Sequence, residues 1–231
     1  MIKAVFFDLY HTLITYDPPR EELVTQALRE LGIERDPAIF RRPLITADEF
    51  IYEEIARLPL SQRSQEEKVS LYTQHQSIVL KEAGIEAYQK LAMALLGKMQ
   101  QYSMNLVLFD DVETTLDELK KRGLILGLIS NVEQEMNDTF TRLKLDSWLD
   151  IIVTSLDAGA GKPQPEIFLE ALKRAGVAAD EALYVGDQYR VDVLGARGAG
   201  IKGILIDRTG YHQDITDCPR IGSLQELTDY L

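Results

Sequence analysis

The chain is poor in several of the features that announce a function class. It holds one cysteine, Cys218, so no internal disulfide can form, and a reduced, cytoplasmic setting is expected. Its three histidines, His11, His75 and His212, lie too far apart for the ligand spacing of a zinc site. No apolar run approaches the ~20 residues of a membrane span. The opening "MIKAVFFDLY" does not read as a secretory signal, because its apolar stretch is short and no small-residue cleavage site follows. Positive charge is in deficit, with 25 Lys and Arg against 37 Asp and Glu and a net charge of −12. Long-range repulsion then opposes nucleic acid and anionic membrane, and neither is expected as a partner. A small anionic substrate remains open, provided a metal or a lysine reverses the field locally.

Two glycine-rich stretches fail as nucleotide-binding loops. In "AGAGK" (158–162) the lysine is followed by Pro163, where a Walker loop needs Ser or Thr, and the earlier glycine is missing. "GARGAG" (195–200) has the wrong glycine order for a dinucleotide fingerprint and follows a helical pattern rather than a strand.

What is present is a globular chain. Its 231 residues are 45% apolar, which suits one large domain or a core with a smaller insertion and is too apolar for disorder. Residues 2–7 are nearly all apolar, the pattern of a parallel strand buried on both faces. "LILGLI" (124–129), "DIIVTS" (150–155), "ALYVGD" (182–187) and "KGILID" (202–207) repeat it. Helical spacing lies between them. Val112, Leu116 and Leu119 share one face, Met136, Phe140 and Leu143 another, and "PEIFLEALKRAG" (165–176) opens on proline and closes on glycine. The alternation predicts an α/β fold, a parallel sheet of about five strands with helices on both faces.

The stretch 17–104 breaks this rhythm and reads as helical. Helices are expected over 20–32 and 85–99. Thr46–Glu49 and Ser64–Glu67 both match the S/T-x-x-E capping box that opens a helix. The expected organisation is a core of residues 1–16 and 105–231 with a helical unit, 17–104, inserted after the first strand.

In an open parallel sheet, ligands bind beyond the carboxyl ends of the strands. The first strand leaves Asp8 there, the second Ser130 and Asn131. Lys162 follows the third, and the fourth leaves Asp187 with Asp192 five residues on. Carboxylate, hydroxyl, amide, ammonium and carboxylate make a coherent set. Asp8 and Asp187 can share Mg²⁺, a hard cation that takes a few carboxylates plus water and phosphate oxygens. Lys162 can pair with Asp8 and a phosphate, Ser130 and donors near Asn131 can hold further phosphate oxygens, and Asp8 can attack as a carboxylate nucleophile. Each residue alone is an ordinary turn or cap residue; their order at successive strand ends is the signal.

That order resembles the haloacid dehalogenase-like (HAD) superfamily of hydrolases. "FFDLYHTLI" is similar to its first motif, "LISN" to its second, "GKPQPEIF" to its third and "YVGDQYRVDVLGARGAGI" to its fourth, covering about residues 1–16 and 105–210. The resemblance implies a Rossmann-like core with a helical cap inserted after the first strand. It makes Asp8 the nucleophile, Ser130 and Lys162 phosphoryl-positioning groups, with Thr12 and Asn131 beside them in substrate binding. Asp187 becomes a Mg²⁺ ligand, Asp192 a support of the metal or its water shell, and the Tyr10 carbonyl a further ligand.

Tyr10 departs from the family's phosphatases, which carry a second aspartate there to protonate the leaving alkoxide and then activate water. A phenol, with a pKa near ~10, is a poor base at neutral pH, and the adjacent His11 is expected to point away. The sequence predicts slow turnover of alkyl phosphate esters and a long-lived aspartyl-phosphate. Tyrosine at this place also resembles true 2-haloacid dehalogenases, whose halide leaves without a proton. Those need a binder for the substrate carboxylate, for which Arg20, Arg41 and Arg42 are available. Against that stand Asp187 and Asp192, because Asp8 and Asp187 without a cation would be two uncompensated carboxylates. A Mg²⁺-dependent phosphatase or phosphotransferase acting on a small phosphorylated metabolite is therefore the first expectation. The alternatives are a dehalogenase, a C–P cleaving relative using Lys68, Lys81 or Lys90, and a non-catalytic HAD-fold binding protein. A monomer or a homodimer is expected.

Overall fold

The computed structural model describes residues 1–132 and 137–231. Its strands are β1 (Ala4–Phe7), β2 (Ile14–Asp17), β3 (Asn105–Leu108), β4 (Ile125–Ser130), β5 (Ile151–Thr154), β6 (Ala182–Gly186), β7 (Lys202–Ile206) and β8 (Arg220–Ile221). Its helices are α1 (Arg20–Glu30), α2 (Arg41–Arg57), α3 (Gln65–Glu82), α4 (Gln89–Met99), α5 (Val112–Lys121), α6 (Asn137–Arg142), α7 (Ser155–Ala158), α8 (Pro165–Ala175) and α9 (Leu194–Gly198). Two compact units result: Met1–Thr15 with Leu106–Leu231, and Tyr16–Asn105.

The first unit is built on a six-stranded parallel sheet in the order β5-β4-β1-β6-β7-β8. It is the expected α/β architecture with one strand more. The extra strand, β8, is only two residues long, too short to leave a periodic signal. Successive strand residues face opposite sides, so the sheet has two cores. Val5, Phe7, Leu126, Leu128, Leu183 and Val185 pack with Val112, Leu116 and Leu119 of α5. Ala4, Phe6, Ile129 and Tyr184 pack with Ile167, Phe168 and Ala171 of α8 and Ala196 of α9. β1 lies between β4 and β6, with Phe7 opposite Leu128 on one side and Val185 on the other. The carboxyl ends of these three strands thus stand side by side, where the strand order switches. Of the expected face on the helix after β4, Phe140 is buried and Leu143 packs against the core; Met136 lies outside the described residues.

The second unit is helical. Its core joins Val24, Ala27 and Leu28 of α1, Leu44 and Ala47 of α2, Val79 and Leu80 of α3, and Leu91 and Leu95 of α4. Ser64 caps α3 with a complete capping box. Thr46 does not start a helix: α2 already runs from Arg41, led by a 3₁₀ turn at Pro37–Phe40, so Thr46 sits in its interior. α4 starts at Gln89 rather than near 85, after Gly84 has taken a left-handed φ of 70°. At the margins of this stretch lie β2 and β3, two four-residue strands that pair with each other and were not expected. Among the described residues no helix is long and apolar enough to cross a membrane.

Candidate active site

The chain reverses sharply after β1. Asp8 continues the sheet register, its N–H donating to the Val185 carbonyl at 2.8 Å. The Leu13 and Ile14 N–H groups both donate to the Leu9 carbonyl at 3.0 Å, and the His11 N–H donates to the Ile14 carbonyl at 2.8 Å. His11 takes a φ of 57° to make this turn, the left-handed region that histidine enters more readily than most residues. The result is a strand-terminal Asp8 whose backbone is tied to β6 and which a turn closed by backbone bonds follows at once.

Lys162 is the hub of the site. Its ammonium donates to Asp8 Oδ1 at 2.5 Å, Asp192 Oδ1 at 2.6 Å and the Tyr184 hydroxyl at 2.8 Å, all buried. Asp8 and Lys162 are 154 residues apart in sequence, so only the fold brings them together. The Lys162 backbone is clamped as well. Asn131 Nδ2 donates to the Lys162 carbonyl at 2.8 Å, and the Lys162 N–H donates to Asn131 Oδ1 at 2.6 Å. Asp192 is buried and receives three donors, Lys162 Nζ and the Tyr184 hydroxyl on Oδ1 and the Gln188 N–H on Oδ2. A π-helical turn at Tyr189–Val193 brings Asp192 back towards Gly186.

Burial pushes the Asp8 carboxyl up to about 6; Lys162 pulls it down and Asp192 adds to the rise. It is ionised at neutral pH and sits near the working range of an acid–base group. Burial alone would lower the Lys162 ammonium, but Asp192 and Asp8 outweigh it and hold it well above the usual lysine range. Burial, then the charges of Asp8 and Asp192, push Asp187 far up. Carboxylate oxygens of Asp8, Asp187 and Asp192 lie within 4.8 Å of one another. If all three were ionised, three carboxylates against one ammonium would leave two negative charges uncompensated, which is what pushes Asp187 towards its protonated form unless a cation is bound. An all-oxygen donor set of this kind fits a hard divalent cation. Asp192 is already engaged by three donors, so Asp8 and Asp187 have more oxygen lone pairs left that could hold such a cation.

The other expected residues have distinct places. Ser130 is buried as the last residue of β4. Asn131 has its carboxamide on the Lys162 backbone, on both its donor and its acceptor side. Thr12 is fully buried, its hydroxyl without a hydrogen-bond partner among the described residues, while its carbonyl accepts from Arg208 at 2.8 Å. Tyr10 is half-buried, and its phenol is raised above the usual range by burial and then by Asp8, so it stays protonated. In the helical unit Arg20 is held by both oxygens of Asp48, whose Oδ1 also meets His75 Nε2 at 3.1 Å. Arg41 pairs with Glu21 and Arg42 is exposed. Lys81 and Lys90 are exposed and Lys68 half-buried, whereas a Schiff-base lysine needs a desolvated amine. Three contributors went unforeseen: Tyr184, Gln188 and Arg208. Only Tyr184 left a trace, as the single polar side chain in an otherwise apolar strand, where a buried hydroxyl needs a partner.

Known proteins bear on this arrangement. Over 220 residues the chain is 32% identical to the glyceraldehyde 3-phosphate phosphatase of Methanopyrus kandleri, covering 93% of this chain and 88% of that protein. It is 35% identical over 153 residues to the phosphoserine phosphatase of Thermus thermophilus, covering 64% of this chain and 60% of that one. A crystal structure of a 2-haloacid dehalogenase from Pseudomonas syringae pv. Tomato DC3000 superposes with a TM-score of 0.57 at 30% identity, covering 99% of this chain and 97% of that one. The family model of haloacid dehalogenase-like hydrolases matches residues 2–200. Strand order, helical insertion and that match agree, and the chain belongs to the haloacid dehalogenase-like hydrolases.

Proposed function

We propose that this hydrolase cleaves or transfers the phosphoryl group of a small phosphorylated metabolite, with Asp8 as nucleophile and Mg²⁺ as its metal. The observation that carries this reading is the cluster of Asp8, Asp187 and Asp192 closed around Lys162. The phosphatase names of the relatives in Methanopyrus kandleri and Thermus thermophilus support it. An Asp8 oxygen forms the new bond to phosphorus, and the bond to the leaving oxygen breaks, that oxygen keeping the electron pair. Water then forms a new bond to phosphorus of the aspartyl-phosphate, the bond from Asp8 to phosphorus breaks with its electron pair staying on the carboxylate, and the water's protons go to the released phosphate and solvent. Lys162 fixes the Asp8 carboxylate and adds positive charge beside it. Asp8 and Asp187, with the Tyr10 carbonyl, would hold Mg²⁺, which when bound neutralises phosphate oxygens. Ser130 and Thr12 belong to the substrate side of this reading, Asn131 to the support of Lys162. The helical unit is the cap that selects substrate, and the single cysteine favours a cytoplasmic setting.

The protonated phenol of Tyr10 cannot serve as general base, so substrates with good leaving groups, acyl and aryl phosphates, fit best. The test is phosphate release from acetyl phosphate, with and without Mg²⁺, by the native protein and by Asp8→Asn. Metal-dependent release that the substitution abolishes is expected. A native protein that releases no phosphate would sink the reading. Chloride release from 2-chloropropionate would then identify a dehalogenase, the reading that Tyr10 and the Pseudomonas syringae structure favour.

A further inference from the structure

A lysine ammonium has three N–H bonds, and all three of Lys162 meet chain oxygens: Asp8 Oδ1, Asp192 Oδ1 and the Tyr184 hydroxyl. The first two are carboxylates of the acidic cluster. The third is a neutral group from the middle of β6. Its single proton goes to Asp192 Oδ1 at 2.9 Å, the Ile129 carbonyl being more distant at 3.4 Å. The Tyr184 ring is fully buried and packs edge-on against Phe168, centroids 5.2 Å apart at 80°. Held this way, the hydroxyl cannot swing out of the site. An ammonium on a four-carbon stem is otherwise a rotatable point charge, whose direction is set only by its acceptors.

We propose that Tyr184 is a positioning residue that occupies the third N–H of Lys162 and keeps the ammonium aimed at Asp8 and Asp192. Its hydroxyl works at the side-chain end as Asn131 works at the backbone end, so Lys162 is fixed from both. The kinetic consequence rests on the phosphoryl-transfer reading; the hydrogen-bond arrangement does not. Because the hydroxyl acts through Lys162 and not on substrate, its loss is felt in turnover rather than in binding.

The test is Tyr184→Phe, which keeps the ring against Phe168 and removes one oxygen. The first readout is the ammonium signal of Lys162 in ¹⁵N-detected spectra, assigned by its absence in Lys162→Met. A slowly exchanging signal is expected in the native protein, and a shifted or exchange-broadened one in Tyr184→Phe. The second readout is acetyl phosphate turnover with Mg²⁺, where kcat is expected to fall ~10- to 100-fold with KM within about twofold. The melting temperature is expected to stay within about 5 °C of native. An unchanged ammonium signal, a loss confined to KM, or a variant that does not fold overturns the assignment. If the native protein releases no phosphate but the ammonium signal still responds to Tyr184→Phe, the phosphoryl reading fails and the positioning role stands.

Discussion

Gly186 shows how tightly the centre is built. A Cβ placed there would lie 2.4 Å from the Asp192 carboxylate, closer than packed atoms approach. Gly186→Ala must move Asp192, so it is expected to cost about 1–3 kcal/mol of stability and to raise the Mg²⁺ concentration for half-activation; a urea titration and a metal titration of activity check the two. Tyr10 is the complementary case, a residue whose chemistry and not its size is at issue. Tyr10→Asp restores a carboxyl two residues after Asp8 and is expected to raise kcat for an alkyl phosphate ester by ~10²-fold, with little gain for acetyl phosphate. A ratio of the two substrates that does not change would remove Tyr10 from the leaving-group argument. At this scale Asp8 and Asp187 were visible as residues directly after a strand, and Lys162 and Asp192 by their place in the order that follows. Tyr184 was not, because periodicity marks a position as buried without telling which polar atom it will face.

Among the elements, two identical local signals had different fates. Ser64 accepts from the Glu67 N–H at 3.2 Å, and Glu67 Oε2 accepts from the Ser64 N–H at 2.7 Å. Thr46–Glu49 carries the same spacing inside α2. The difference is tertiary: Pro43, Leu44, Ala47 and Ile51 are buried on both sides of Thr46 in the chain, so the helix has no reason to begin there. Ser64→Ala is expected to destabilise by ~1 kcal/mol, whereas Thr46→Ala, at a helix interior, is expected to cost no such cap energy. Urea unfolding of both variants tests the contrast. Of the unexpected strands, β8 has only two residues, too few to register against a turn, and β2 (ITYD) carries no continuous apolar run of the kind that marks β1 and β5.

Across the whole first unit, Arg208 ties segments far apart in sequence. It donates to both oxygens of Asp111 at 2.9 Å and to the Thr12 carbonyl at 2.8 Å, while the Ser223 hydroxyl and the Leu224 N–H also donate to Asp111. Burial would raise the Asp111 carboxyl; the hydrogen bonds from Arg208, Ser223 and Leu224 outweigh it and hold it below the usual range. A depressed folded-state pKa gives stability that is present above the unfolded value, near ~4, and lost as pH falls through the folded one. Asp111→Asn is therefore expected to cost about 2 kcal/mol at neutral pH, with the gap to native narrowing as pH drops below ~4. A gap that is flat with pH would show that the carboxylate's charge contributes nothing. The sequence alone determined the α/β alternation, the helical insertion and the residues at the strand ends, Asp8, Ser130 and Asp187, because hydrophobic period and strand termini are local properties of a chain; Lys162 stands in the loop after α7, beyond the end of β5. Only the tertiary structure decided what those residues touch: that Asn131 holds a backbone, that Arg20 is engaged by Asp48, and that Tyr184 completes Lys162. These three contacts join positions 22 to 31 residues apart, and the one between Lys162 and Asp8 spans 154; their partners are chosen by tertiary packing, which no local pattern carries.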